Sequence, residues 1–374
     1  MGKHVGKAAL TMGAAGVAIG AIAAGLVKAG NPGNMGVCVA CFVRDTAGAF
    51  AGPALGMGGV AYVRPELVGI VLGAFGAAAL RRELRFRGGG AFALRFGLGF
   101  VFMSAALVFL GCTVRAWLRL AGGDLNALVG IAGLVVGVGV GAAFLRGGYS
   151  VGRSRPLPRA DGLSGAFAAA LLLALAVALA LGAGADVFTV TPAGAASPGG
   201  KRAPLLLALL GGGAVGVLAQ RSRICTTGGI RDLFLGLKLD KAVGILGLLA
   251  GALALNVAFG QFRLGFEGQP VAHTDALGNL AAMAVAGLAA VLMGGCPLRQ
   301  LVMAGEGDAD ASGALLGMFA GAFFMHGTKL ASSPKGLAPG ALGMLAVFAV
   351  ALVAVGFLRR ERAPAAAPVP APRP

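Results

Sequence analysis

Apolar blocks of about twenty residues, separated by short clusters of charge, Pro or Gly, run along nearly the whole chain. A helix crosses the hydrocarbon core of a bilayer with roughly 20 residues. Ten spans are predicted on that basis, at about residues 8–27, 65–80, 96–111, 125–145, 162–182, 203–220, 241–259, 276–295, 311–327 and 338–358. A transmembrane β-barrel is excluded, because its strands would alternate in polarity instead of forming uninterrupted apolar blocks. The expected fold class is an all-α integral membrane protein.

Composition agrees. Of 374 residues 57% are apolar and 12% charged, with 67 glycines and a mean hydropathy of +0.87, too little polar surface for a water-soluble domain. A formal charge of +17 would suit nucleic acid, but the Lys and Arg residues sit in short loops between spans, without a basic module or neighbouring aromatics. No nucleic-acid partner is expected, and the basic residues are topology signals. With the N-terminus inside, 21 of the 31 fall on the cytoplasmic side, so both termini are expected in the cytoplasm.

The first span has an apolar part longer than the core of a usual signal peptide and is expected to be retained. Residues 183–202, rich in Gly, Pro, Ser and Thr, are the natural linker between a first membrane repeat (1–182) and a second (203–358). Residues 359–374 end in APAAAPVPAPRP, which predicts an extended, disordered cytoplasmic tail.

The repeat is written around cysteines. Cys38 is followed by Arg44 and Asp45, and Cys225 by Arg231 and Asp232 at the same distances. Cys112 is followed by Arg115 and Asp124, and Cys296 by Arg299 and Asp308, again at identical spacing. Each copy holds five predicted spans. An odd number makes the second copy enter the membrane from the opposite face, giving two inverted five-helix repeats. The cysteine segments, residues 34–51 and 222–236 and the still shorter ones after Cys112 and Cys296, are too short to span. Irregular backbone at membrane depth is tolerated where protein buries it or where it lines an aqueous path, so all four are expected to be re-entrant and to meet near the midplane.

A lone cysteine in a membrane helix is ordinarily an inert packing residue. Four in symmetry-matched motifs are not explained that way, and repeat interfaces are where transporter sites lie. Cys41 has no counterpart, since Gly228 stands at the matching position. Arg44, Asp45, Arg115, Arg231, Asp232 and Arg299 are expected to support the re-entrant loops as ion pairs, with a second possible role in setting the field that admits an anion. Met35, Met57, Met103 and Met293 are expected to line the interior. Apolar surroundings disfavour a thiolate, so the cysteines would present S–H donors, which suit a large, polarizable sulfur or selenium atom better than a hard oxyanion. A series of weak, similar sites would pass such an anion along without trapping it.

The runs GNMGVCVACFVRDTAG (residues 33–48), QRSRICTTGGIRD (220–232) and GGCPLRQLVMAGEGD (294–308) resemble the sulfur-transport membrane family of the YeeE/YedE type, most closely its branch associated with selenium metabolism. The similarity extends from Gly33 to Gly327. It implies an hourglass-shaped inverted-repeat permease of a bacterial-type inner membrane that takes up thiosulfate or a related compound, with Cys38, Cys225, Cys296 and Cys112 relaying the substrate. The additional Cys41 departs from a minimal relay set and leaves sulfur and selenium substrates equally open. A cytoplasmic sulfur or selenium carrier is a further expected partner.

Two other classes compete. Cys38 and Cys41 form a C-x-x-C sequence, which suggests a membrane thiol-disulfide oxidoreductase, but the second copy lacks it and no βαβ context surrounds it. A soft-metal permease would want histidines near the thiols, and His4, His273 and His326 lie at ends or loops. No G-x-x-x-x-G-K-[ST] sequence is present. The chain is therefore expected to be no enzyme, with no catalytic residue, metal ligand or cofactor assigned.

Overall fold

The computed structural model describes residues 2–152, 154–159, 163–181, 188–236 and 239–360. Residues 183–187 of the expected linker and 361–374 of the expected tail lie outside them. The first half supplies α1 (Gly2–Lys28), α2 (Val39–Ala51), α3 (Pro65–Leu80), α4 (Phe92–Phe109), α5 (Thr113–Ala121), α6 (Asn126–Arg146) and α7 (Ser164–Ala180). The second supplies α8 (Leu205–Ser222), α9 (Thr226–Phe234), α10 (Asp240–Ala258), α11 (Ala276–Met293), α12 (Pro297–Gly305), α13 (Ala309–Gly327) and α14 (Ala341–Leu358).

The protein is mostly helical, and seven stretches are long and apolar enough to cross a membrane: Gly6–Lys28, Phe92–Ala121, Asn126–Arg146, Leu205–Phe234, Asp240–Ala258, Ala276–Gly305 and Ala341–Leu358. The three other predicted spans fall short for different reasons. At 16 and 17 residues, α3 and α7 reach about 24–26 Å, less than the roughly 30 Å hydrocarbon core. Helix α13 has 19 residues, but Asp310, Ser312 and His326 interrupt its apolar sequence.

Helices of the first half pack in parallel against helices of the second. The closest pairs are α1 with α10, α3 with α8, α6 with α11 and α4 with α13. Glycines make this approach possible. A methyl group at Gly16 or Gly20 would land on the carbonyl oxygens of Gly244 or Leu248, and one at Gly251 on that of Val17. Gly73 faces Gly213 in the same way, Gly137 faces Ala284, and Gly317 faces Phe96. Exchanging each first-half helix for its sequence counterpart turns the α1–α10 pair into α8–α3 and the α6–α11 pair into α13–α4. The last helix of each half breaks this exchange: α7 rests mainly on α3 and α12, whereas α14 rests mainly on α11. Helices α4 and α11 cross at the centre. Their spans are 83% and 72% buried, against 22% for α14 at the periphery.

Several basic loops share one face of the bundle. Arg85 N–H donates to Glu306 O, Leu157 N–H to Phe86 O and Ser150 N–H to Arg359 O, while Arg87–Gly88 and Arg155–Pro156 form a short antiparallel pair. On the opposite face, the described end of the linker is woven onto the α2–α3 connection: Thr189 N–H donates to Ala49 O, Thr191 to Ala61 and Gly199 to Gly59. One hydrophobic core runs through both halves.

Candidate functional site

All four motif cysteines occupy the N-cap position of a half-helix, and two of them, Cys38 and Cys225, cap it through the side chain. Cys38, Cys112, Cys225 and Cys296 each have extended backbone immediately before α2, α5, α9 and α12. The chain is brought there by breaks in the preceding helices: Leu110 (φ 64°), Arg223 (φ 59°) and Gly294 (φ 96°) adopt the left-handed conformation that ends α4, α8 and α11. Helix caps favour Ser, Thr, Asp and Asn, so capping strength does not account for cysteine at these positions. The Cys38 Sγ accepts from the Cys41 N–H (3.4 Å) and the Cys225 Sγ from the Gly228 N–H (3.3 Å), so the aligned positions 41 and 228 play the same backbone role. Helix α9 has nine residues, no more than α5 or α12, so it is not the longer element its flanking sequence suggested.

The cysteines fall into two clusters. In the first, Cys38 Sγ and Cys41 Sγ are 2.8 Å apart, and the Cys112 thiol lies beside Cys38, at the first turns of α2 and α5. In the second, the Cys296 N–H donates to Cys225 Sγ (3.3 Å), at the first turns of α9 and α12. All five thiols are free and buried. The clusters meet where α5 and α9 begin: the Thr113 and Thr226 hydroxyls, each directly after a repeat cysteine, are 2.9 Å apart. Four half-helix N-termini thus converge on thiols, and each contributes the partial positive charge of unpaired N–H groups.

Two further polar groups at the second cluster have no hydrogen-bond partner: the Thr227 hydroxyl and the Gln300 side-chain oxygen, both almost fully buried. Met35, Met57, Met103 and Met293 are fully buried in the surrounding core. Among the described residues, no group of three or more His, Cys, Asp and Glu has the geometry to hold a metal ion.

The expected ion pairs are formed at two of the four motifs. Arg44 pairs with Asp45 (2.6 Å), which also holds Arg64 (2.7 Å), and this triad is buried. Arg231 pairs with Asp232 (2.6 Å), which also holds Lys241 (2.7 Å), in a more accessible setting. At the other two, the partners differ from those the spacing suggests. Arg299 binds Glu306 through both nitrogens (3.1 and 3.0 Å), while Asp308 is held by Arg87 and Arg95. Asp124 binds Arg119 (2.6 Å), not Arg115. Arg115 is fully buried, and among the described residues no carboxylate reaches it. Its guanidinium donates to the carbonyls of Gly33, Asn34, Leu110, Pro270 and Val271 and lies 3.7 Å from Cys41 Sγ. Sequence spacing singled out neither Arg64, Arg119 and Glu306 nor the threonines. Only Thr113 and Thr226 carried a usable signal, their position directly after a repeat cysteine. The sequence matches no protein-family model and no curated protein.

Proposed function

We propose that this chain is a permease for a soft sulfur- or selenium-bearing anion, passed between two cysteine clusters at the interface of two inverted repeats. The observation that carries it is the gathering of four half-helix N-termini, each with a cysteine at its N-cap position, into two thiol clusters that meet at the Thr113–Thr226 contact. N-termini favour negative charge, free thiols offer weak S–H donors, and neither holds an anion tightly. Inverted repeats are supported by the exchange of helix pairs described above, and ten spans by the helical extent of α3, α7 and α13 despite their lower hydropathy or length. The clustering of basic loops on one face supports cytoplasmic termini in a bacterial-type inner membrane. Kinship with the YeeE/YedE family rests on the three motif runs. A cytoplasmic sulfur or selenium carrier would receive the anion at the Cys225–Cys296 side.

Uptake of labelled thiosulfate, selenite and selenide into proteoliposomes tests transport and ranks the substrates. Cys→Ala at positions 38, 225 or 296 is expected to abolish uptake without loss of folded protein, with Cys41→Ala milder. Full uptake by the triple variant would return these residues to inert packing.

The contact between Cys38 Sγ and Cys41 Sγ favours one other activity, thiol-disulfide exchange. Alkylation with and without prior reduction distinguishes the two: an oxidoreductase would show a fraction of this pair oxidised at rest, and a permease would show free thiols.

A further inference from the structure

We propose that Arg115 is the anion-selecting group of the first cysteine cluster, and that the segment 267–272 is its cover, released when an oxyanion takes the guanidinium. The inference rests on the proposed transport only for the identity of the probe, thiosulfate.

A buried guanidinium ordinarily has a carboxylate beside it, as Arg44, Arg64 and Arg119 do here. Arg115 has carbonyls instead. Carbonyl dipoles satisfy its N–H donors but leave its full charge uncompensated, so an anion that reached it would gain an attraction no internal group now supplies. The matching residue of the other half does not share this property, because Glu306 neutralises Arg299. Glu306 stands where the first half has Gly122 by the same spacing. The open charge therefore lies on one side only, next to Cys41 and one helical turn from Cys112.

The carbonyl cage is strained at one residue: Val271 (φ 49°) is left-handed, and for β-branched valine that conformation is a true outlier. Strain of this kind persists only where surrounding contacts impose it. At Val271 the imposing contact is Arg115, whose Nη2 binds the carbonyls of Pro270 (3.2 Å) and Val271 (3.3 Å). On either side the chain is fixed independently. Gly265 exchanges hydrogen bonds with the turn after α5, and the Phe266 carbonyl accepts from Asn126. His273 Nε2 is 2.8 Å from Val108 O, and Asp275 caps α11. Gln269 Nε2 donates to the carbonyls of Arg263 and Gly265, and Arg263 donates to that of Gly268, so Arg115 is the latch of the remaining part of the cover, residues 270–272. A cavity of about 360 Å³ bordered by Glu267, Gln269, Ala272, His273 and Lys335 gives the segment room to move. An oxyanion that takes the Nη2 donors displaces Pro270 and Val271, and Val271 relaxes as the cover lifts.

Hydrogen exchange of the 267–274 amides, measured on the full chain in detergent with thiosulfate or chloride at equal ionic strength, tests this. Thiosulfate is expected to accelerate exchange of this segment several-fold and to leave α10 and α13 unchanged. Arg115→Gln should remove the response and leave the segment fast in either salt. Arg115→Lys, which keeps the charge but cannot span several carbonyls, should raise the exchange in chloride and retain a response. Val271→Asn tolerates the left-handed conformation without a β-branch, so it should stabilise the latched state and shift the response to several-fold higher thiosulfate. Its result stands even if Arg115→Gln does not fold. Wild-type protein that transports thiosulfate but shows no change in exchange would overturn this inference and leave the permease intact. A response in protein without uptake would do the reverse. Loss of the response in Cys41→Ala would also overturn it, because the thiol, not a free anion, would then be the partner of Arg115.

Discussion

The two cysteine clusters are written with nearly the same motif and differ in charge. Around Cys225 and Cys296 the guanidinium of Arg299 meets Glu306, and Arg231 and Lys241 share Asp232 near one face of the bundle. Around Cys38, Cys41 and Cys112 the equivalent Arg115 meets only carbonyls and a thiol, under a loop that belongs to the other half. One position, Gly122 against Glu306, decides whether the cation is neutralised locally. The two clusters thus share the backbone device, a cysteine at the N-cap position of a half-helix, and differ in their electrostatics. On the proposed transport, an anion would be drawn toward the first cluster and find the second less attractive, a gradient along which binding does not become trapping.

The largest effect is expected from separating the halves that hold the clusters together. Gly137 of α6 meets the carbonyl of Ala284 in α11, the helix that ends at the second cluster, so Gly137→Val should abolish monodisperse protein by size exclusion. Gly97→Ala, on a part of α4 with open space around it, should be neutral or slightly stabilising. Equal behaviour of the two variants would show that glycine content here is not about close helix approach.

Next come the two acidic anchors. Asp45→Asn leaves Arg44 and Arg64 buried with no carboxylate and should cost about 3–5 kcal/mol, seen as a fall in folded yield and melting temperature in detergent. Asp232→Asn acts on Arg231 and Lys241, which keep partial access to solvent, and should cost about 1 kcal/mol. Reversal of that order would mean that the second cluster is the more deeply enclosed of the two.

The bridge between clusters should respond more gently. Thr113→Val and Thr226→Val each remove one hydroxyl and leave the other unpartnered, with an expected loss of about 1 kcal/mol; the double variant should be closer to wild type in stability. If the hydroxyls contact the passing anion, uptake in the double variant should fall while stability recovers. Recovery of both would leave the pair a packing contact.

The smallest effect concerns His273, beside the cover of the first cluster. Burial holds its imidazolium below the ordinary value, so the folded protein binds a proton less readily than the unfolded chain does. Stability should accordingly be constant above about pH 6.5 and decline as pH falls below it. His273→Asn should flatten that decline, and an unchanged melting curve between pH 7 and pH 5 in the parent would remove the imidazole from the account.

Helix was legible in the chain, and seven of the ten predicted spans are long and apolar enough to cross a membrane, because about twenty apolar residues in a row admit one structure in a bilayer; a Gly-Cys step marks where two of them stop, before Cys112 and Cys296. The repeat pointed to four cysteine segments meeting near the midplane, and only the packed bundle sorted the thiols into Cys38–Cys41–Cys112 and Cys225–Cys296. Arg44–Asp45 and Arg231–Asp232 were readable as neighbours in sequence. Arg115 was not. Its spacing to Asp124 matches that of Arg299 to Asp308, yet neither pair forms, because Asp124 turns back to Arg119 and Asp308 reaches Arg87 and Arg95 on other elements. Local spacing fixes which side chains lie on one helical face, and the hydropathy of a segment fixes whether it spans. The choice of partner for a buried charge depends on which distant carbonyls and carboxylates the packed bundle brings within about 3 Å. For Arg115 the tertiary structure decided that choice by closing residues 270 and 271 over it, more than 150 positions along the chain.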